Sequence, residues 1–176
     1  MDRTSTEAVP GRFRQFGYAL VAATLFAAGD LAAKWVVATI VMEPPRRIPV
    51  LPFFDLVLVF NRGISFGLLG DLGAWGPVVL SALAAGIMGL LLVWLWRTER
   101  LSEAIGIAMI IGGAAGNLVD RLHDGAVTDF LDLYVGKYHW PAFNGADIFI
   151  TMGVVCLLVS SIGAGENVSQ KNSLDQ

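Results

Sequence analysis

Charge, cysteine and histidine are all scarce in this 176-residue chain, and each shortage removes a class of function. Asp, Glu, Lys and Arg together make up only 15% of it, against 55% hydrophobic residues and a mean hydropathy of +0.64, far from the balance of a soluble domain. The net charge of −3 is small and scattered, and no Lys/Arg-rich run is present to track phosphates, so nucleic acid is set aside as a partner. Cys156 is the single cysteine, which rules out an intrachain disulfide and a thiolate metal cluster; inside an apolar stretch, its expected role is packing. His123 and His139 are sixteen positions apart with no second ligand set, so no metal site and no cofactor are expected. Internal repeats and low-complexity segments are also missing.

What remains is four long apolar stretches, Phe16 to Val41, Trp75 to Trp96, Leu101 to Val119 and Ala146 to Ala164. At 1.5 Å per residue they cover about 28 to 39 Å, enough to cross a hydrocarbon core of about 30 Å. The first resembles a secretory signal, with Ala27-Ala28-Gly29 as a cleavage site, but its apolar character continues to Met42 with Asp30 and Lys34 inside it, so it is read as a span. The expected fold is therefore an all-α integral membrane protein with four transmembrane helices in one membrane domain. Arg3, Arg12 and Arg14 precede the first span, and Arg97 and Arg100 lie between the second and third; the positive-inside rule puts both termini and that turn in the cytoplasm. Both long connections then lie outside, and Leu51 to Asn61 and Val127 to Tyr134 read as strands. Open sheet edges cannot face lipid, so a small extracytoplasmic β-sheet is expected to rest at the membrane surface. The polar tails, 1–11 and 165–176, are expected to be disordered.

Polar residues in such a chain need a reason. Asp30 and Lys34, one helical turn apart, can neutralise each other near the outer end of the first span. Gly112, Gly113 and Gly116 on the third span read as helix packing. Asn117, Asp120 and Arg121 follow on one face, offering an amide, a carboxylate and a guanidinium at the outer boundary. Asn144 with Asp147 is an ordinary helix start, and Asp129 in Val127-Thr128-Asp129-Phe130 reads on its own as a turn residue. Together with Asn61, however, these residues gather at one membrane depth. Two carboxylates that converge there offer an acid and a base for handling water. The serines have no histidine in a span to activate them, which disfavours a serine protease. A proton-coupled transporter would place acids nearer the midplane, in repeated halves. A metal-dependent lipid phosphotransferase could use Asp120, Asp124, Asp129 and Asp132, but would leave Asp147 without a role.

Five blocks in order resemble the bacterial lipoprotein signal peptidases (signal peptidase II): Asp30-Leu-Ala-Ala-Lys34, Asn61-Arg-Gly-Ile-Ser-Phe-Gly67, Gly112 to Arg121, Val127 to Phe130, and Phe143-Asn-Gly-Ala-Asp147. Ser65 stands where that family usually has alanine. The resemblance implies an aspartyl endopeptidase of the inner membrane, sensitive to globomycin, that cuts a diacylglyceryl-modified prolipoprotein just before its lipidated cysteine. It also implies catalysis by Asp129 and Asp147, substrate binding by Asn61, Gly63, Asn117, Arg121 and Asn144, and support from Asp30, Lys34, Gly113 and Asp120. The expected partners are the prolipoprotein and membrane lipids, with the enzyme a monomer. The outer strands and Trp140 are expected to cover the substrate, with Gly63, Gly67 and Gly70 as pivots.

Overall fold

Proline and glycine punctuate the helices where the sequence places them. The computed structural model describes residues 10–63 and 75–174; Ser65, Gly67, Gly70 and the first nine residues lie outside the described part. Helix α1, Pro10–Val36, begins on a proline, whose missing N–H is no loss in a first turn. It widens into a π turn, Val37–Val41, closed by the Met42 N–H on the Val37 carbonyl at 2.9 Å, before Pro44 and Pro45 forbid further helix. Helix α2, Gly76–Arg97, also carries proline in its first turn. Helix α3, Leu101–Asp124, ends where Gly125 adopts a left-handed φ of 69° and gives its N–H to the Arg121 carbonyl. Helix α4, Gly145–Leu174, contains no proline to stop it and runs past the expected end of the span at Ala164, through most of the tail expected to be disordered.

All four helices are long and apolar enough to cross a membrane. In α3 56% of the most apolar window is buried, against 22% or less in the others, so α3 is the central post against which α1, α2 and α4 stand. Lipid tails are as apolar as leucine, so the post holds its neighbours by close fit rather than by hydrophobic transfer. A Cβ on Gly112 would meet the Ala23 carbonyl oxygen at 2.6 Å, and one on Gly113 would run into the carbonyl of Ala146. The glycine packing read from the sequence is thus what brings α1 and α4 onto α3. Ala19, Ala23, Leu95, Ala104, Ile107, Ala108 and Ile111 form the apolar core of α1, α2 and α3.

The sheet is antiparallel in the order β1-β2-β3-β4. The stretch expected as one strand from Leu51 to Asn61 is broken at Pro52-Phe53 into β1, Ile48–Leu51, and β2, Phe54–Asn61, because a proline cannot continue the ladder. Strand β3, Val127–Val135, matches the expected segment and adds one residue; the short β4, Tyr138–His139, was not foreseen. Between β2 and β3 the register slips between Leu56 and Val59, so Asn61 ends opposite Val127 and lies on the same face as Asp129. After β4 the chain returns beside β3, with Phe143 and Leu131 exchanging both backbone hydrogen bonds, and so delivers Asn144 next to Asp129.

Candidate active site

Lys34 is the foundation of the polar centre. It is 3% exposed and spends its ammonium on Asp30 Oδ2 at 2.7 Å, Asp120 Oδ2 at 3.0 Å and Asn117 Oδ1 at 2.8 Å, one partner for each proton it carries. The two carboxylates then reach outward from the helices. Asp30 Oδ1 accepts the Ala146 N–H at 2.7 Å in the first turn of α4, and Asp120 Oδ2 accepts the Thr128 N–H at 3.1 Å at the start of β3. Room for Asp30 comes from Gly116 and Gly145, where a Cβ would lie 2.6 and 3.0 Å from its oxygens. The pair that the sequence offers as Asp30–Lys34 is therefore a four-residue joint tying α1, α3, α4 and β3 together.

Two asparagines carry this joint to the other two aspartates. Asn144 Nδ2 donates to Asp129 Oδ1 at 2.6 Å and to Asn117 Oδ1 at 3.1 Å. Its Oδ1 accepts the Asp147 N–H at 3.1 Å while its own backbone N–H donates to Asp147 Oδ2 at 3.1 Å, the reciprocal cap expected of Asn at a helix start. Asn117 Nδ2 donates to Asp147 Oδ1 at 2.9 Å. Asp129 and Asp147 are thus both held by a single residue, Asn144, one through its side chain and one through its backbone. Asn61 Nδ2 completes Asp129 at Oδ2, 2.9 Å away, and is itself oriented by the Gly63 N–H on its Oδ1 at 2.8 Å. Gly63, at φ 91°, reaches the site through Asn61.

Among the described residues no cation forms an ion pair with either acid. Among the described residues Asp30, Asp120, Asp55 and Asp132 each have an ion pair, whereas the hydrogen bonds to the Asp129 and Asp147 carboxylates come from neutral amides. Asp129 is 2% exposed, and this burial pushes its carboxyl above the ordinary aspartate value; hydrogen bonds from Asn61 and Asn144 oppose the rise, and the charge of Asp147 adds to it. Arg121 donates to the Asn117 carbonyl at 3.5 Å and stands near Asp147, Asp129 and Asp120, while its buried Nε has no hydrogen-bond partner. Two open cavities flank the pair. One of about 280 Å³ holds Asn61, Arg62, Asp129 and Pro141; the other, about 350 Å³ and apolar, holds Asp147, Trp140, Phe143 and Thr151.

Every site residue named from the sequence converges here, with Gly113 acting as the contact that seats α4. A second cluster, on the sheet, was missed. Asp55 and Asp132 face each other across β2 and β3, both buried, and Arg47 spans them at 3.2 and 2.6 Å. His139 Nδ1 lies 2.9 Å from Asp132 Oδ2, and the Tyr134 hydroxyl donates to Asp55 at 3.2 Å. The sequence offers only Asp55 within β2 and Asp132 as the second acid of β3 as cues. With Asp132 committed here and Asp124 against His123, the four aspartates of a phosphotransferase do not share one centre, and among the described residues no metal-binding group of His, Cys, Asp and Glu is found.

The comparisons agree with this architecture. The model of the signal peptidase (SPase) II family matches residues 21–163. A lipoprotein signal peptidase of Azoarcus sp. (strain BH72) is 46% identical over 150 residues, 84% of each chain, and one of Pseudoalteromonas atlantica is 37% identical over 90% of this chain and 98% of its own. A solved structure described as a bacterial membrane enzyme, obtained by the in meso method, superposes with a TM-score of 0.72 at 25% identity, covering 86% of this chain and 91% of that one. Four helices long and apolar enough to cross a membrane, a small antiparallel sheet and the fold of a bacterial membrane enzyme define a polytopic membrane enzyme. The chain belongs to the signal peptidase II family, whose peptidases are of the aspartic type.

Proposed function

We propose that this chain cleaves the signal peptide from diacylglyceryl-modified prolipoproteins, just before the lipidated cysteine, with Asp129 and Asp147 as its catalytic pair. The observation that carries the reading is the pair itself: two carboxylates held by one asparagine, without a direct cation among the described residues, whose other buried aspartates are all ion-paired. Such a pair shares a proton. With Asp129 the more strongly buried, it keeps the proton and Asp147 acts as base. Asp147 takes a proton from water as the water oxygen attacks the scissile carbonyl, and Asp129 gives its proton to the carbonyl oxygen. The resulting gem-diol collapses as the C–N bond breaks, the amine leaving with a proton returned through the pair. Asn61, oriented by Gly63, holds Asp129 at the edge of one cavity, and Asn117 and Asn144 hold the acids from beneath; these four residues are assigned to substrate binding with the pair. Arg121, the cation that stands near both acids, is assigned to substrate binding.

The substrate's acyl chains confine it to the bilayer, and the apolar cavity beside Asp147 is lined along α4 by Ile148, Thr151 and Met152. The site is assembled by one chain, which supports a working monomer. Arg12 donates to the Trp96 carbonyl and Gln15 to that of Thr98, so the arginine-bearing ends gather at the end of the bundle opposite the aspartates. This supports cytoplasmic termini and a site at the outer face of the inner membrane. Asp129→Asn and Asp147→Asn are each expected to lower cleavage of a lipidated precursor by at least about 10²-fold, the scale of acid-base catalysis, with retained folding in detergent. A gel-shift assay with and without globomycin reads the outcome; normal turnover in either variant refutes the assignment.

A further inference from the structure

A groove of about 580 Å³ runs between α1 and α3, at the opposite end of the bundle from the aspartates. Its floor is built from small residues, Ala19 and Ala22 of α1 with Ala104 and Ala108 of α3. At its inner end Phe26, packed 4.7 Å from Phe149 of α4, closes it. Its mouth is polar. Arg14 lines it, exposed, with Nη2 donating to the Tyr18 hydroxyl at 3.3 Å and no acidic partner among the described residues.

We infer that this groove binds one anionic phospholipid, its phosphate on Arg14 and Tyr18 and one acyl chain lying along the alanine floor toward Phe26. From Arg14 to Phe26 the helix rises about 18 Å, a little over half of a hydrocarbon core of about 30 Å, which is the reach of a chain from one leaflet. A guanidinium without a carboxylate is the donor set that a phosphate oxygen fits, and basic pockets between helices on the cytoplasmic side take acidic headgroups. A signal-sequence helix fits less well. Its amino-terminal region is cationic and would meet Arg14 with like charge.

The inference does not depend on the peptidase reading, because lipid retention is measured without turnover. The full-length protein in mild detergent is titrated with phosphatidylglycerol and with phosphatidylcholine of the same acyl chains and read by native mass spectrometry. The anionic lipid is expected to bind about fivefold more tightly, the effect of one arginine near an acidic headgroup. Arg14→Gln should abolish that preference, while Ala22→Phe, with Ala22→Leu as the milder filling variant, should weaken both lipids. Asp129→Asn should bind lipid as the unmodified chain does. Equal binding of the two lipids, or a preference that survives Arg14→Gln, would mean ordinary boundary lipid and overturn the inference. So would displacement of both lipids by a hydrophobic peptide with a cationic amino terminus.

Discussion

Two clusters of buried acids, built on opposite principles, flank the same strand. At the base of the site Lys34 is itself buried and answers Asp30, Asp120 and Asn117 with its three protons. On the sheet Arg47 is half exposed, its side chain 53% accessible, and lies across two acids that the β2–β3 register sets face to face. A lysine concentrates charge at a point and suits a tripod; the planar fork of arginine suits a bridge between neighbouring carboxylates. The deeper contrast is in what each cluster passes on. The outer one ends in the ion pairs. The inner one continues through Asn117 and Asn144 into Asp129 and Asp147, which receive oriented amides but no cation. Fixing a carboxylate with neutral donors positions it while leaving its proton exchangeable.

The hardest way to break the contrast is Lys34→Met. It leaves Asp30 and Asp120 buried without their cation and releases Asn117 Oδ1. Removing one partner from a buried ionic cluster costs about 3–5 kcal/mol, so the variant should unfold far more readily in detergent and lose cleavage with it. Neutralising the acids as well, with Asp30→Asn and Asp120→Asn in the same chain, should restore part of the stability, since the penalty comes from the orphaned charges. A fold indifferent to Lys34→Met would show that the joint holds nothing together.

Much of this was legible beforehand because it rests on local signals. Apolar run length gave four spans, Asn144 with Asp147 gave a cap, and Asp30, Lys34, Asn117 and Arg121 stood out because polar residues in lipid require partners. The apolar run of α3 stops at Val119, and the helix continues to Asp124 before the left-handed Gly125, which keeps Asp120 and Arg121 on the face the sequence assigns them. The partnership of Lys34 with Asp120, 86 positions away, depends on α1 packing against α3 and leaves no trace in spacing. The same holds for Arg47 with Asp132. Gly116 reads from the sequence only as helix packing, and Gly145 only as part of a helix start; both leave the space that Asp30 fills.

A change of pH should separate the amide-held pair from the clamped ones. Asp129 holds its proton above the ordinary aspartate value of 3.8, first because it is buried and also because Asp147 is near. The folded protein therefore binds that proton more tightly than the unfolded chain. Its contribution to stability is complete below 3.8 and is lost as pH rises through the raised value. Activity has the same sign: kcat/KM is expected to fall about tenfold per pH unit once the upper titration of the pair is passed. In Asp147→Asn the neighbouring charge is gone, so carbon-13 NMR of the Asp129 carboxyl should show its proton leaving at a lower pH. An unmoved titration would mean that the two groups do not sense each other.

The mildest test is Arg47→Gln. The two acids it leaves behind are as buried as those around Lys34, yet the loss should be smaller, about 1–2 kcal/mol, for three reasons. Arg47 is itself half solvated, so its ion pairs are screened; His139 remains on Asp132; and the Tyr134 hydroxyl remains on Asp55. Loss of the half-exposed Arg47 side chain also opens the freed carboxylates to water, which the joint between helices does not allow. Cleavage should persist with kcat near that of the unmodified chain, because none of the hydrogen bonds to Asp129 or Asp147 comes from this cluster. Unfolding curves and turnover measured on the same preparation decide it. A collapse in kcat with stability nearly intact would mean that β3 transmits the state of Asp132 to Asp129, three residues away, and the two clusters would then have to be treated as one device.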